Sequence, residues 1–191
     1  MQVTNILIVG TGGQGVILAS DILTDVMSKT DHIEVKKTET HGMSQRGGSV
    51  HAQIRYGQKV ASPYISPGEA DVILAFEEAE GLRYSHYLTD TGGMILNNMQ
   101  IIPPLVNTGL AEYPVQAINE LKKNHQIKSI NALKIASEIG NEKVVSVVLL
   151  GALASMLEFE DEIWINIIKN KVPPKALEAN LKAYTEGKNA L

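Results

Sequence analysis

The pattern of hydrophobic and polar positions switches repeatedly between two spacings along the chain, and this predicts strands that alternate with helices. Short apolar runs and period-two alternation predict strands, while apolar positions three or four residues apart predict helices. Strands are predicted near residues 5–9, 32–38, 49–56, 71–76, 93–97 and 127–130, and helices near residues 13–29, 77–87, 115–124, 132–139, 144–157, 163–169 and 175–185. Because this alternation runs to about residue 140, we expect an α/β fold. We predict a three-layer α/β/α Rossmann-like domain with a helical C-terminal segment, formed by residues 1–191 as a single domain.

The stretch 144–157 is apolar almost all round, unlike the amphipathic helices on either side of it. A membrane span takes about 20 apolar residues, so this stretch is too short to be one. We therefore predict a central buried helix and no membrane span.

Composition excludes several classes of function. The net charge is −4 and aromatic residues make up only 5% of the chain, so we expect no binding to nucleic acid. The chain has no cysteine, so it cannot ligate an iron–sulfur cluster through thiolates or use a thiol nucleophile. No basic leader precedes an apolar core, and we expect a cytoplasmic protein.

A glycine-rich turn joins the first predicted strand to the first predicted helix. It spells G-x-G-x-x-G, and its candidate ligand-binding residues are Gly10, Gly12, Gly13, Gln14 and Gly15. Glycines let the backbone approach a phosphate at the positive end of the helix, but they also allow tight packing of strand on helix. A dinucleotide site also needs an acidic residue about 20 positions further on, where Glu34 and Glu39 lie in a polar stretch. Phosphate binding and packing both remain open at this stage.

A second polar cluster lies in residues 40–49, between the second and third predicted strands. Its arginine can form a bidentate contact with a carboxylate or phosphate, and its glycines expose backbone N–H groups. Each residue taken singly fits a structural role, but together they predict a binding loop. The candidate residues are His41, Ser44, Gln45, Arg46, Gly47 and Gly48. No histidine and acidic residues are spaced as metal ligands, so we predict no metal site.

Together the two motifs resemble the gamma-type subunit of the 2-oxoacid:ferredoxin oxidoreductase family. Residues 10–16 look like the opening turn of that subunit, and Arg46-Gly47-Gly48 matches its loop. The longer run 40–50 looks most like the small beta subunit of indolepyruvate ferredoxin oxidoreductase. Residues 77–83, 140–141, 150–153 and 180–187 continue the likeness over nearly the whole chain.

The resemblance implies a subunit of a complex that oxidatively decarboxylates aryl 2-oxoacids such as indolepyruvate. Coenzyme A and oxidised ferredoxin are consumed, and aryl-acetyl-CoA, carbon dioxide and reduced ferredoxin are formed. It implies that thiamine diphosphate and the [4Fe–4S] clusters belong to the large alpha subunit and that this chain alone binds no cofactor. We therefore expect no catalytic residue here, an inactive isolated chain, and contact of both motifs with substrate, coenzyme A or the partner.

Two other functions stay open on the sequence. The same glycines fit an autonomous Rossmann-type oxidoreductase that binds NAD or FAD, and the chain could equally be a purely scaffolding subunit. A subunit needs an apolar docking surface, so we expect one here, together with self-association to a homo-oligomer when the chain is isolated.

Overall fold

A computed structural model describes residues 3–30, 33–42 and 47–191, and its core is a single mixed β-sheet. Within those residues the sheet has six strands in the order β2-β3-β1-β4-β5-β6. The strands are β1 Thr4–Thr11, β2 Glu34–His41, β3 Ser49–Gly57, β4 Ala70–Ala75, β5 Leu88–Asn97 and β6 Gln126–Ile130.

The direction of β3 sets this sheet apart from an all-parallel one. β1, β4, β5 and β6 pair in parallel, whereas β3 is antiparallel to both β1 and β2. β3 therefore lies between β1 and β2, and β2 forms an edge of the sheet. The predicted α/β class is confirmed, but the second strand is not a direct neighbour of the first.

Helices cover both faces of the sheet. The larger layer contains α1, α5, α6, α7 and α8, which pack on one face with alternate residues of β1, β3 and β4. α2 and α4 pack on the opposite face. The helices are α1 Val16–Met27, α2 Glu78–Tyr84, α3 Pro104–Asn107, α4 Val115–Asn124, α5 Ala132–Ile139, α6 Val145–Ala154, α7 Asp161–Lys171 and α8 Leu177–Asn189.

Several predicted bounds need correction. α1 begins at Val16 rather than at residue 13, because Gly13 and Gly15 have positive φ angles of 100° and 87°. β2 runs on to His41 and β3 begins at Ser49, so both ends of the predicted loop 40–49 are strand. β5 begins at Leu88 rather than at residue 93, since Leu88 pairs with Ala70 ahead of an irregularity in the register.

The C-terminal helices pack unusually closely where α6 crosses α8. The prediction of a central buried helix is confirmed, because nine of the ten residues of α6 are buried. A Cβ atom on Gly151 would overlap the carbonyl oxygen of Tyr184, and one on Gly187 would overlap the carbonyl oxygen of Val148. The two backbones touch at these glycines. None of the helices in the described ranges has the length and apolar character needed to cross a membrane.

Candidate functional site

The glycine turn and the second polar cluster meet at the carboxyl end of β1. The N–H of Gly12 donates to the carbonyl oxygen of Gly48 at 2.8 Å, and the N–H of Gly47 donates to the carbonyl oxygen of Gly12 at 3.3 Å. These bonds extend the ladder in which Thr11 of β1 lies opposite Ser49 of β3. The two motifs, about 35 residues apart in the chain, therefore form one place in the fold.

Gly10 and Gln14 serve the packing of the turn. A Cβ atom on Gly10 would lie 2.7 Å from Oε1 of Gln14 and 2.8 Å from Cβ of Phe76. Oε1 of Gln14 accepts from the N–H of Thr11 at 2.7 Å, and its Nε2 donates to the carbonyl oxygen of Phe76 at 3.3 Å. Nε2 also lies 3.5 Å from Sδ of Met99. The Gln14 side chain thus fills the space between the ends of β1 and β4.

The position of the Gln14 side chain bears on whether the glycine turn could bind a dinucleotide such as NAD or FAD. Connections leave β1 and β4 toward opposite edges of the sheet, and doubly wound folds bind ligands in the crevice at such a point. Here Gln14 occupies it. Of the two acidic residues that lie near the spacing a dinucleotide site needs, Glu39 accepts from Ser20 Oγ at 2.7 Å, and Glu34 accepts from the N–H of Val60 at 2.7 Å. Among the residues that the structure describes, nothing supports an autonomous NAD or FAD site.

A cavity of about 500 Å³ opens instead on the α1 side of the turn. It is lined by Thr11, Gly12, Gly13, Gly15, Val16, Ile17, His41, Gly42 and Val50. The first N–H groups of a helix have no partner within the helix, so the start of α1 presents donors and a positive dipole end. This cavity suits a negatively charged group.

The side-chain hydroxyl of Thr11 is buried beside the cavity. Thr11 is only 7% exposed, and its Oγ1 has no hydrogen-bond partner among the described residues. A buried hydroxyl without a partner costs about 1–3 kcal/mol, but Oγ1 itself has almost no accessible surface, so a ligand in the open cavity does not reach it. Thr11 is not among the predicted site residues, because the G-x-G-x-x-G pattern specifies only the glycines around it. The available signal was a polar residue at the end of a buried strand.

Apart from Gly10 and Gln14, which serve the packing of the turn, the predicted site residues fall into three groups. Gly12, Gly13, Gly15 and His41 line the cavity, and His41 is exposed at the end of β2. Gly47 and Gly48 join the second cluster to the turn through the backbone. Ser44, Gln45 and Arg46 lie outside the described residues.

A hydrogen-bonded chain of side chains lies at the start of β3, on the face covered by α2. Ser49 Oγ donates to Oε2 of Glu80 at 2.5 Å and lies 3.3 Å from the Tyr84 hydroxyl. That hydroxyl lies 2.9 Å from Nδ1 of His51, and Nε of Arg83 donates to the other Glu80 oxygen at 3.0 Å. These hydrogen bonds fix the position of Ser49 and therefore the start of β3, the strand that follows the second cluster.

We expect His51 to make the folded chain less stable in acid. Burial lowers the pKa of His51 below its ordinary value near 6.5, and the nearby Glu80 opposes this only in part. The unfolded chain takes up the proton first, so the free energy of unfolding falls as the pH drops from above 6.5 through the lower folded pKa. Urea unfolding at about pH 7.5 and about pH 5.5 measures this loss.

The matched variants are His51→Gln and His86→Gln. The first should lose less stability than the wild type between the two pH values, because it lacks the titrating ring. The second removes an exposed histidine and should behave like the wild type. An unchanged pH dependence in His51→Gln would contradict the assignment.

A pair of buried carboxylates lies at the start of α2. Glu77 is 2% exposed and accepts from the N–H of Glu80 at 2.8 Å, which caps the helix. Glu78 accepts from Nζ of Lys122 at 2.6 Å. The sequence shows only acidic residues at the positive end of a helix, and it gives no sign of these long-range partners. Their contacts hold the segment after β5 in place.

No metal centre is evident in the described parts of the chain. Within residues 3–30, 33–42 and 47–191, no three or more histidine, aspartate or glutamate residues are grouped so that they could hold an ion. The chain also has no cysteine.

Comparison with known proteins defines the family. Residues 5–190 match the family described as pyruvate ferredoxin/flavodoxin oxidoreductase. The chain belongs to this family. The resemblance to a gamma-type subunit, first drawn from the two motifs, is confirmed.

Full-length relatives carry this assignment further. The chain is 41% identical over 197 residues to a protein of Pyrococcus horikoshii named indolepyruvate oxidoreductase subunit IorB, covering 100% of this chain and 96% of the relative. A protein of Thermococcus kodakarensis with the same name is 39% identical over 199 residues, with the same coverage. Proteins with these names are subunits of oxidoreductases, which implies a larger catalytic partner in this family.

A solved structure shares the fold. The gamma subunit of a keto/oxoacid ferredoxin oxidoreductase from Geobacter sulfurreducens aligns with a TM-score of 0.74 and 24% identity. The alignment covers 98% of this chain and 97% of that subunit. The predicted fold class is therefore confirmed by a subunit of the same architecture.

Proposed function

We propose that the chain is the small accessory subunit of an indolepyruvate:ferredoxin oxidoreductase. The complex would oxidatively decarboxylate aryl 2-oxoacids with coenzyme A, release aryl-acetyl-CoA and carbon dioxide, and reduce ferredoxin. The observation that carries the proposal is the 41% identity over the whole chain to a relative of that name.

The proposal assigns the redox chemistry to the large alpha subunit. Thiamine diphosphate would supply carbanion stabilisation there, and [4Fe–4S] clusters would pass electrons to ferredoxin. A chain without cysteine cannot ligate such clusters through thiolates, which supports placing them on the partner. This chain would therefore be inactive when isolated, with no catalytic residue of its own.

We assign the cavity beside the glycine turn to the contact with an anionic group. The candidate groups are a phosphate of coenzyme A, the carboxylate of the 2-oxoacid and an acidic side chain of the partner. Two features support this role: the start of α1 and the left-handed glycines Gly13 and Gly15. Arg46, one residue before Gly47, would add a forked positive charge.

Co-expression with the large subunit tests the function. The purified complex should reduce methyl viologen only when indolepyruvate and coenzyme A are both present, while each subunit alone should be silent. Phenylpyruvate and pyruvate serve as alternative substrates, and pyruvate should be the poorer one. A complex that assembles but accepts only pyruvate as the 2-oxoacid that reduces viologen would contradict the indolepyruvate assignment. Binding of NAD or FAD by the free chain would favour the autonomous oxidoreductase.

A further inference from the structure

The connection between β5 and α4 carries a concentrated group of exposed apolar side chains. Four of the eight large apolar side chains that are exposed in the described residues lie within residues 102–115, here called the apolar segment. They are Ile102, Leu105, Leu110 and Val115, which are 40%, 59%, 77% and 49% exposed. Between residues 99 and 119 the only charged side chain is that of Glu112. Such a patch marks an interaction surface.

Buried carboxylates hold the apolar segment at both ends. Glu77 accepts from the N–H of Ile101 at 3.1 Å and from the hydroxyl of Tyr113 at 2.6 Å. Glu78 accepts from Nε2 of Gln100 at 2.7 Å and from Lys122. These contacts fix the chain just before and just after its exposed side chains. A surface ordered in advance loses less entropy when a partner binds.

A groove beside the apolar segment adds a charge preference. Its volume is about 550 Å³, and it is lined by Glu112, Tyr113, Pro114, Val115, Gln116, Ala117 and Glu120. Both carboxylates are exposed, and neither forms a salt bridge with a cation in the described parts of the chain. The nearby Lys122 is already paired with Glu78. The groove therefore complements a lysine or arginine that is flanked by apolar side chains.

The apolar segment begins next to the candidate site. Met99, three residues before Ile102, has its sulfur 3.5 Å from Nε2 of Gln14 in the glycine turn. A partner seated on the apolar segment would lie at the same carboxyl edge of the sheet as the cavity. A subunit that shares a substrate with this chain has to reach that edge.

We propose that the apolar segment and the Glu112–Glu120 groove are the docking surface for the large catalytic subunit. The matching surface on that subunit is an apolar stretch that carries a basic side chain. This inference rests on the proposed function, because it takes the catalytic subunit as the occupant.

The experiment measures binding of full-length variants to the purified large subunit by biolayer interferometry. Leu105→Ser combined with Leu110→Ser should weaken binding at least about tenfold, because two central apolar contacts are lost. Glu112→Gln combined with Glu120→Gln should also weaken binding and should reduce its dependence on salt. Tyr64→Ser is the matched control, since Tyr64 is 66% exposed in the β3–β4 connection and should leave binding unchanged.

Thermal unfolding confirms that each variant folds, because all the substituted side chains are exposed. Wild-type binding by the leucine variant would overturn the proposal. A second outcome would also overturn it: the free wild-type chain is a dimer, the leucine variant is a monomer, and both still form the complex normally. The occupant of the surface would then be a second copy of this chain. The proposed function would fail in a different way. The variants would show the expected losses of binding to the large subunit, yet the wild-type complex would show no reduction of viologen that depends on indolepyruvate.

Discussion

Replacing Gly187 with alanine should lower the free energy of unfolding by about 3 kcal/mol and the melting temperature by roughly 6–12 °C. The reason is the crossing of α6 and α8, where a Cβ atom on Gly187 would overlap the carbonyl oxygen of Val148. The atoms that this Cβ would meet all belong to the Val148 backbone and cannot rotate away, so the helices must move apart. Intrinsic helix propensity predicts the opposite sign, because alanine in a helix is favoured over glycine by about 1 kcal/mol.

Gly151→Ala should behave in the same way, because it meets the backbone of Tyr184 at the same crossing. Gly109→Ala is the control: its φ is +74°, with no heavy atom within 4 Å of the added Cβ. That substitution should cost only the left-handed backbone, about 1 kcal/mol. Thermal and urea unfolding of the free chain measure the melting temperature and the free energy of unfolding of each variant. A Gly187→Ala chain as stable as the wild type would mean that the two helices are further apart.

Arg46→Lys should lower the rate of the reconstituted complex at least about tenfold, which corresponds to about 1.4 kcal/mol. An ammonium keeps the charge but cannot form the two parallel bonds that a guanidinium makes to a carboxylate or phosphate. Arg46 directly precedes Gly47, whose N–H is bonded to Gly12 at the glycine turn. The sequence predicts Arg46 in a loop, where an arginine contributes little to the core, so the melting temperature of the free chain should stay nearly constant.

Arg83→Lys is the matched control for this experiment. Arg83 is 64% exposed in its side chain and pairs with Glu80, where a point charge is sufficient. Its complex should keep wild-type activity under the same assay. Full activity in Arg46→Lys would exclude a forked contact. Unfolding of the free Arg46→Lys chain would instead identify Arg46 as a structural residue.

Local patterns in the sequence predict the six strands and seven of the eight helices of the described residues, but not the short α3 or the order of the strands. The stretch that became α6 has no polar face, and this alone predicts burial. The position of β3 between β1 and β2 has no comparable local signal, because it depends on pairings such as Val9 with His51. Distant pairings are set by the packing of the whole sheet.

The candidate site shows the same division. The glycine motif located the turn, because left-handed backbone at Gly13 and Gly15 leaves a direct trace in residue choice. The chain from His51 through Tyr84 to Glu80 leaves no such trace, since its partners come from different elements. The sequence also predicted an apolar docking surface without placing it. The available sign is a long run, residues 100–119, with one charged residue and three prolines.

Among the described residues, main-chain hydrogen bonds link the glycine turn to the second cluster. The two bonds that join Gly12 to Gly47 and Gly48 involve only N–H and carbonyl groups. Gly47 has to keep its left-handed φ of 76°, but side chains elsewhere in the second cluster can change without breaking these bonds. An ancestral subunit of this kind could therefore have diversified its loop chemistry toward different acids while the frame beneath it stayed the same.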